Sequence, residues 1–354
     1  MFKRLVFGAI LIAAAVIFWW KTDVIRIDVV GQPSQTGGFQ DEIEQPFFEN
    51  LARETGLPLS VRYRPLEAVG HKDTYQLPML KDRTLDLVSL RFLQNSAVEP
   101  ELMGIDLVGL IPDFKTGREV VRAYAPIIQR ALEERFSARL LGIWPRGPQV
   151  FFCQRPIARL HDLAGMKVRI GGATLAPLMT AIGAVPVLIP FDETKEALRI
   201  GLVDCAITSS ASANSAGWPE HTKYSYSFTT QLGLNGYAIN LALWGRLSAS
   251  QQKIFQQAFD KHVETIWTFA ERLHDTSSAC NTGGLCENGK AYHLVMVTPT
   301  PEDVNTLREI MKTSALVEWK TLCEKVDPGC SRHWHDLLDP IILGPPSVSP
   351  SASP

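Results

Sequence analysis

Six cysteines and eight histidines are the residues of this 354-residue chain from which a metal centre or nucleophilic site could be assembled. Sulfur and imidazole are zinc ligands, and Cys323, Cys330, His333 and His335 lie near one another, but their spacing matches no familiar zinc pattern. No HExxH, no GxSxG elbow and no cysteine–histidine nucleophile arrangement is present. No metal, no cofactor and no catalytic residue is therefore expected. Cys280 and Cys286 bracket the turn-rich NTGGL, and Cys323 and Cys330 bracket EKVDPG, so each pair can close a small loop as a disulfide in an oxidising compartment. That leaves Cys153 for Cys205. His161, in a polar turn, and Asp204, at a strand entry, read as structural.

The segment GQPSQTGG at 31–38 sits between a strand and a helix, where phosphate loops lie, yet it lacks the Gly-Lys-Ser/Thr ending of a nucleotide site. Gln32, Ser34, Gln35 and Thr36 instead offer hydrogen bonds at the carboxyl end of a strand, the edge at which open α/β sheets receive ligands. A formal charge of -2 with 45% apolar residues is that of an ordinary globular protein, and gives no electrostatic reason to expect a nucleic-acid partner.

The elements that must position these residues alternate. VIRIDVV, FQDEIEQPFFENLARETG, LSVRYR, LPMLKDR and LDLVSL read as strand and amphipathic stretches in turn, which is α/β patterning. A helix follows from about Lys115 to Phe136, then the strands ARLLGIW and QVFFC around the break at Pro145 to Pro148. KVRIG, VPVLI and DCAITS then alternate with LAPLMTAIG and ETKEALRIG. After the strand YAINLAL, Ser248 and Gln251 make a capping-box pattern. Apolar residues at Ile254, Phe255, Ala258, Phe259, Val263, Ile266, Trp267, Ala270 and Leu273 carry one helical face to about Ser278, roughly 45 Å, long enough to brace two lobes. The strand HLVMVT, a helix from Pro301 to about Val326 and a short helix around Trp334 complete the pattern. The chain exceeds the usual single-domain size, so two cores with a cleft between them are expected.

The N-terminus places Lys3 and Arg4 before an apolar run from Leu5 to Trp20, the order of an export signal. The run ends in Trp19 and Trp20 rather than small residues, so both a cleaved signal and an uncleaved inner-membrane anchor remain open over 1–22. The Ser/Pro-rich residues 343–354 read as a disordered tail.

The stretch from Leu163 to Asn214 resembles the DctP-type solute-binding subunits of tripartite ATP-independent periplasmic (TRAP) transporters. The matching pieces are Leu163 to Arg169, Ile182 to Ala184, Pro190 to Asp192 and Gly201 to Asp204. Trp144 with Gly147, the RPI at Arg155 to Ile157 and the helix opening LSASQQK extend the likeness to about Val24–Leu338, weakest in the first lobe. It implies an exported protein with two α/β lobes and a hinge, closing on a small organic anion and delivering it to a two-part permease. The arginine ending the Lys-Val-Arg strand, Arg169, would grip the ligand's carboxylate, a role suited to a planar guanidinium fork in a water-poor cleft. The chain departs from the family at Gln149, where many members carry a second arginine that Arg146 could replace. Ile207 and Thr208 stand in place of the family's polar pair, and Cys205 in place of its Gly.

Further pocket candidates are Thr208, Ser209, Ser210 and Asn214 as orienting groups, Ser89 and Arg91 at the end of LDLVSLRF, and Phe151, Trp218 and Tyr237 as aromatic wall. The expected lobes are 23–142 with about 236–262, and 143–235 with about 263–342. An exported enzyme for a small acid, or a membrane-tethered sensor, would be compatible with the same architecture.

Overall fold

In the computed structural model, which describes residues 24–342 apart from 37, 71, 72 and 288, two separate sheets organise the chain. The expected signal or anchor and the expected tail lie outside the described residues. No helix among those described is long and apolar enough to cross a membrane.

The first lobe holds β1 (Ile25–Val30), β2 (Leu59–Arg64), β3 (Leu87–Arg91) and β4 (Ala138–Pro145). The second holds β5 (Gln149–Cys153), β6 (Lys167–Ile170), β7 (Val185–Leu188), β8 (Cys205–Ser209) and β9 (Tyr224–Tyr226). The chain then returns to the first sheet as β10 (Leu234–Asn240), and β11 (Val295–Val297) edges the second. The orders are β2-β1-β3-β10-β4 and β11-β9-β5-β8-β6-β7. β1 runs parallel to β2 and β3, and β10 lies antiparallel between β3 and β4. Both faces of the central strands β3, β10, β5 and β8 are buried, which is why these read as nearly continuous apolar runs, while the edge strands β2, β7 and β11 are partly exposed. In the first lobe Val30, Val88 and Leu90 face one core, while Val29, Leu87 and Tyr237 face another.

Two segments cross between the lobes side by side. The backbone N–H groups of Arg146, Gly147 and Gln149 donate to the carbonyls of Gly233, Leu232 and Gln231 at 3.0, 3.1 and 2.8 Å. Asp106 secures the crossing from below: its carboxylate accepts from the amides of Leu232, Gly233 and Leu234 at 2.9, 2.8 and 3.0 Å. Burial pushes that carboxyl up to about 7, while the three amides pull it back. Gly233 has φ +70°, and a Cβ there would come within 2.6 Å of the Gln149 side chain, so the turn needs glycine.

The helix Ala249–Asn281 spans 33 residues, about 50 Å at helical rise, and opens on the expected Ser248/Gln251 capping box. Phe255, Phe259, Ile266 and Phe269 enter the first-lobe core. At its far end Ser278 and Asn281 bond Ser210 of the second lobe at 2.9 and 3.0 Å, so the helix does bridge the lobes. Ile254, expected on the buried face, is 40% exposed.

The chain beyond Pro301 departs from the expected lobe assignment. Leu307, Ile310 and Ala315 join the second-lobe core, but Trp319, Cys323, Cys330, Trp334 and Leu338 join the first. The indoles of Trp319 and Trp334 donate to the carbonyls of Pro100 and Gly104 at 2.8 and 2.7 Å, which fixes that docking. The boundary expected at 142/143 also falls inside β4, which stays in the first sheet to Pro145.

Three disulfides join Cys153 to Cys205, Cys280 to Cys286 and Cys323 to Cys330. The last removes the thiolates that a zinc set with His333 and His335 would need.

Candidate functional site

Arg169 is the next-to-last residue of β6, where strand alternation sends Val168 and Ile170 into one core and the arginine to the other face. Its Nε donates to the Ile189 carbonyl and its Nη1 to the Ile207 carbonyl, both at 3.0 Å. The guanidinium lies 5.4 Å from the Trp218 ring centre and 5.9 Å from that of Phe191. Only 4% of the residue is exposed, and among the described residues no carboxylate forms an ion pair with it. Burial, then the positive charge of Arg91, pushes the group down to about 9, against a weaker pull from Asp192. A guanidinium stays charged at neutral pH even so. Burial and a neighbouring cation both disfavour the charged form, and an anion beside the group would oppose them.

A second guanidinium comes from the first lobe. Arg146, just past β4, donates from Nη2 to the Gln32 amide oxygen. Burial, then Arg91, pushes it too down to about 9, with Glu44 and Asp73 opposing. Like Arg169, it pairs with no carboxylate among the described residues. Gln32 also donates to Ser89 Oγ at 2.7 Å, and its backbone N–H to Glu44 at 2.6 Å. Glu44 accepts further from Tyr63 and Tyr237 at 2.8 and 3.1 Å. Burial raises the Glu44 carboxyl while these donors hold it down. Gln32, Ser89 and Tyr237 are thus the buried support beneath Arg146.

Arg91 ends β3 and is neutralised at Nη1 by Asp73, 2.6 Å away. Its Nε is buried and meets no acceptor. On neighbouring strands, directly opposite, stand Asn235 and then Trp144. The Asn235 amide nitrogen and the Trp144 indole nitrogen are likewise buried without an acceptor, as is the Trp218 indole across the gap. The rims of the two lobes touch around this region. Ser215 Oγ donates to the Gln35 carbonyl at 3.3 Å, and a Cβ on Gly172 would strike Leu93 at 2.6 Å.

The other sequence candidates are distributed differently. Thr208 is two residues from Ala206, the β8 partner of Arg169, and so shares its face. Trp218 stands beside Arg169. Phe151 is a correction: it pairs with Ile207 on the opposite face and packs 6.1 and 6.5 Å from Tyr226 and Phe228, inside the second-lobe core. Gln149 turns back to donate to the Gly147 carbonyl at 2.8 Å. Ser209 caps the helix Ser210–Ser215. Ser210 is tied to Ser278 and Asn281, and Asn214 to Asn281 and the Lys290 carbonyl at 2.8 Å each. Gln35 is exposed, and only its carbonyl is engaged across the gap. Ser34 and Thr36 serve their own loop: the Ser34 amide donates to Glu67, and Thr36 Oγ1 to the Pro33 carbonyl. Asp204 accepts from the Lys167 amide at 2.9 Å, a structural role.

A cavity of about 570 Å³ lies elsewhere, between Gly109–Pro112, Ser227–Thr229 and the helix Pro301–Ile310, and Arg91, Arg146 and Arg169 do not line it. Charge, rather than volume, singles out the interlobe site.

The model of the DctP family, described as bacterial extracellular solute-binding protein, family 7, matches residues 43–315, more than half of the chain. A C4-dicarboxylate-binding periplasmic protein DctP from Rhodobacter capsulatus is 26% identical over 61% of this chain and 66% of its own length. A solute-binding protein from Albidiferax ferrireducens is 24% identical over 51% and 54%. The chain spans between about two fifths and two thirds of the length of the curated relatives it matches. Among solved structures, the Bordetella pertussis DctP7 receptor binding pyroglutamic acid superposes with TM-score 0.76 at 18% identity, covering 88% of this chain and 99% of that one. A TRAP periplasmic solute-binding protein from Rhodoferax ferrireducens with bound malonate gives 0.76 at 16% identity, covering 90% and 98%. At these identities the likeness speaks to the two-lobed fold.

Proposed function

The chain belongs to the DctP family, family 7 of the bacterial extracellular solute-binding proteins, and from that premise we propose that it captures a small organic anion between its lobes and delivers it to a two-part TRAP permease. The observation that carries this reading is the Arg169 guanidinium, buried between aromatic rings and backbone carbonyls with no carboxylate paired to it among the described residues. A carboxylate entering from the cleft completes the fork with charge-assisted hydrogen bonds, which strengthen as water is excluded.

Closure follows from where the contacts originate. Arg169 is on the second lobe, Arg146 and Arg91 on the first, so an anion between them favours the arrangement that brings both sides to it. The paired crossing strands over Asp106 are suited to bending, and the long helix to limiting how far the lobes part. The ligand leaves chemically unchanged, as befits a receptor family. Relatives whose bound ligands are pyroglutamate, malonate or succinate support the carboxylate class.

The test is a thermal-shift screen of small carboxylates on the wild type and on Arg169→Ala. A ligand should raise the wild-type melting temperature and leave the variant nearly unmoved. Equal shifts in both proteins would overturn the role of Arg169, and turnover of the bound acid in buffer alone would overturn the receptor reading.

A further inference from the structure

The cavity of about 570 Å³ that lies apart from the cleft arginines belongs to neither lobe alone. Leu110, Ile111 and Met311 reach it from the first-lobe core, Phe228 and Leu307 from the second. Its walls are joined to the connections between the lobes. The Gly109 N–H donates to the Thr230 carbonyl at 2.9 Å, one residue before the crossing segment begins at Gln231. A second wall is the helix Pro301–Ile310, which runs into a π turn, Met311–Ala315, where Ile310 still faces one core and Met311 the other. Turns of that kind are rare and are found often at functional sites. A Cβ on Gly109 would come within 2.9 Å of Leu307, so loop and helix already touch, and the space beside them is not slack left by loose docking. Close-packed proteins leave few voids larger than a water molecule, and this one has the volume of a small-molecule site.

The lining has two chemistries. Val304, Leu307 and Met311 follow at helical spacing and present an apolar surface, while Arg308 and Lys312, one turn apart on the same helix, bring two positive charges to its exposed edge. No aspartate or glutamate lines the cavity among the described residues. The Arg308 side chain makes no ion pair or hydrogen bond among them. Lys312 meets only Glu309, at 3.1 Å, in a solvent-exposed pair of the kind that contributes little. We propose that this cavity is a second ligand site, separate from the cleft, for an amphipathic monoanion: its acidic head lies against Arg308 and Lys312, and its aliphatic body against Leu110, Phe228 and Met311. The inference goes beyond the receptor reading and does not depend on it. A short diacid has no apolar body to bury here and brings a second charge against the apolar wall, so the site selects against the small acids suited to the cleft.

The experiment is calorimetric titration of the full chain with straight-chain monocarboxylates of about six to twelve carbons, below micellar concentrations, with decanol and decylammonium as neutral and cationic counterparts of decanoate. Affinity should rise about three- to fourfold per added methylene until the cavity is full. Decanoate should bind about tenfold more tightly than decanol, and decylammonium more weakly than either. The double variant Arg308→Gln/Lys312→Gln changes exposed side chains only, and should bring decanoate down to the level of decanol. Val304→Trp fills the cavity and should abolish binding of both; melting curves establish that it is folded, and the double variant carries the test if it is not. Arg169→Ala should bind decanoate as the wild type does. Decanoate should also slow amide hydrogen exchange over residues 227–230 and 304–312. No decanoate binding, equal binding of all three ten-carbon probes, or decanoate binding lost in Arg169→Ala and kept in the double variant would each overturn the second site. None of these results touches the receptor reading, which stands or falls on the small-carboxylate screen.

Discussion

The guanidinium carbon of Arg169 lies 5.4 Å from the centre of the Trp218 ring, with Phe191 at 5.9 Å on the same charge. A ring face attracts a cation without neutralising it, so the arginine is oriented and still available to an anion. Arg169→Lys keeps the charge and loses both the fork and the two carbonyl anchors. Anion affinity should fall by about 10- to 100-fold in titration calorimetry, short of the complete loss in Arg169→Ala. Trp218→Leu should weaken binding less, by about three- to tenfold. Lysine binding as tightly as arginine would show that only charge matters.

The Asp106 carboxylate gathers three consecutive amides at the segment where the chain re-enters the first lobe. Gly233 and Leu234 share Oδ2, so an amide nitrogen at that position would set donor against two donors. Asp106→Asn should therefore lower the unfolding free energy by about 2–4 kcal/mol in urea titration. A loss under about 0.5 kcal/mol would mean that the crossing segments hold themselves together without it.

How much of this arrangement the amino-acid order reveals depends on which question a residue answers. Strand and helix alternation is local, so the α/β class and the bridging helix are legible from periodicity alone. Arg169 stands out in the sequence because a family pattern and a guanidinium fork suited to a carboxylate coincide on one residue, and its part in binding is the reading proposed above. Phe151 is misplaced because alternation tells which residues share a face but not which face turns to the cleft, a matter of strand pairing. Asn235 escapes notice because β10 begins at Leu234, three residues earlier than the apolar run from Tyr237 suggests, and Gly233 and Gly236 read as turn. Trp319 and Trp334 are plainly core residues, but only the tertiary bonds to Pro100 and Gly104 tell which core.

His262 gives stability a pH dependence of known sign. It stacks on Phe47 at 3.7 Å and meets the Tyr237 hydroxyl at 3.2 Å, and burial pushes its imidazole down to about 3 from an ordinary value near 6.5. A depressed imidazole means that the unfolded chain binds a proton between those values when the folded protein does not. Its contribution is complete above about pH 6.5 and declines as pH falls toward 3, by up to about 1.4 kcal/mol per unit. Glu44, raised by burial, works in the opposite direction, so the wild type alone does not isolate the histidine. The difference between His262→Phe and wild type does: the variant should gain relative stability as urea titrations move from pH 7 to pH 4. A difference independent of pH would mean that the imidazole is not held neutral.

Cys153 and Cys205 sit directly opposite on antiparallel β5 and β8, are fully buried, and close a loop with a sequence separation of 52. The strands are already paired by backbone hydrogen bonds, so the crosslink acts chiefly on the unfolded chain, whose freedom it restricts. Chain-entropy arguments for a loop of that length give about 4 kcal/mol. The double variant Cys153→Ala/Cys205→Ala should lose roughly that much in urea unfolding, with some further cost from the cavity left in the second-lobe core. Ligand preference should survive, because Cys205 lies in the core on the face of the sheet away from Arg169 and Thr208. Reductant without denaturant should change neither stability nor binding over hours, since the sulfurs are inaccessible, whereas reductant added in urea should lower the midpoint to that of the double variant. A wild type whose bond is cut rapidly under native conditions would show that the second lobe opens at β5 and β8 far more readily than its packing implies.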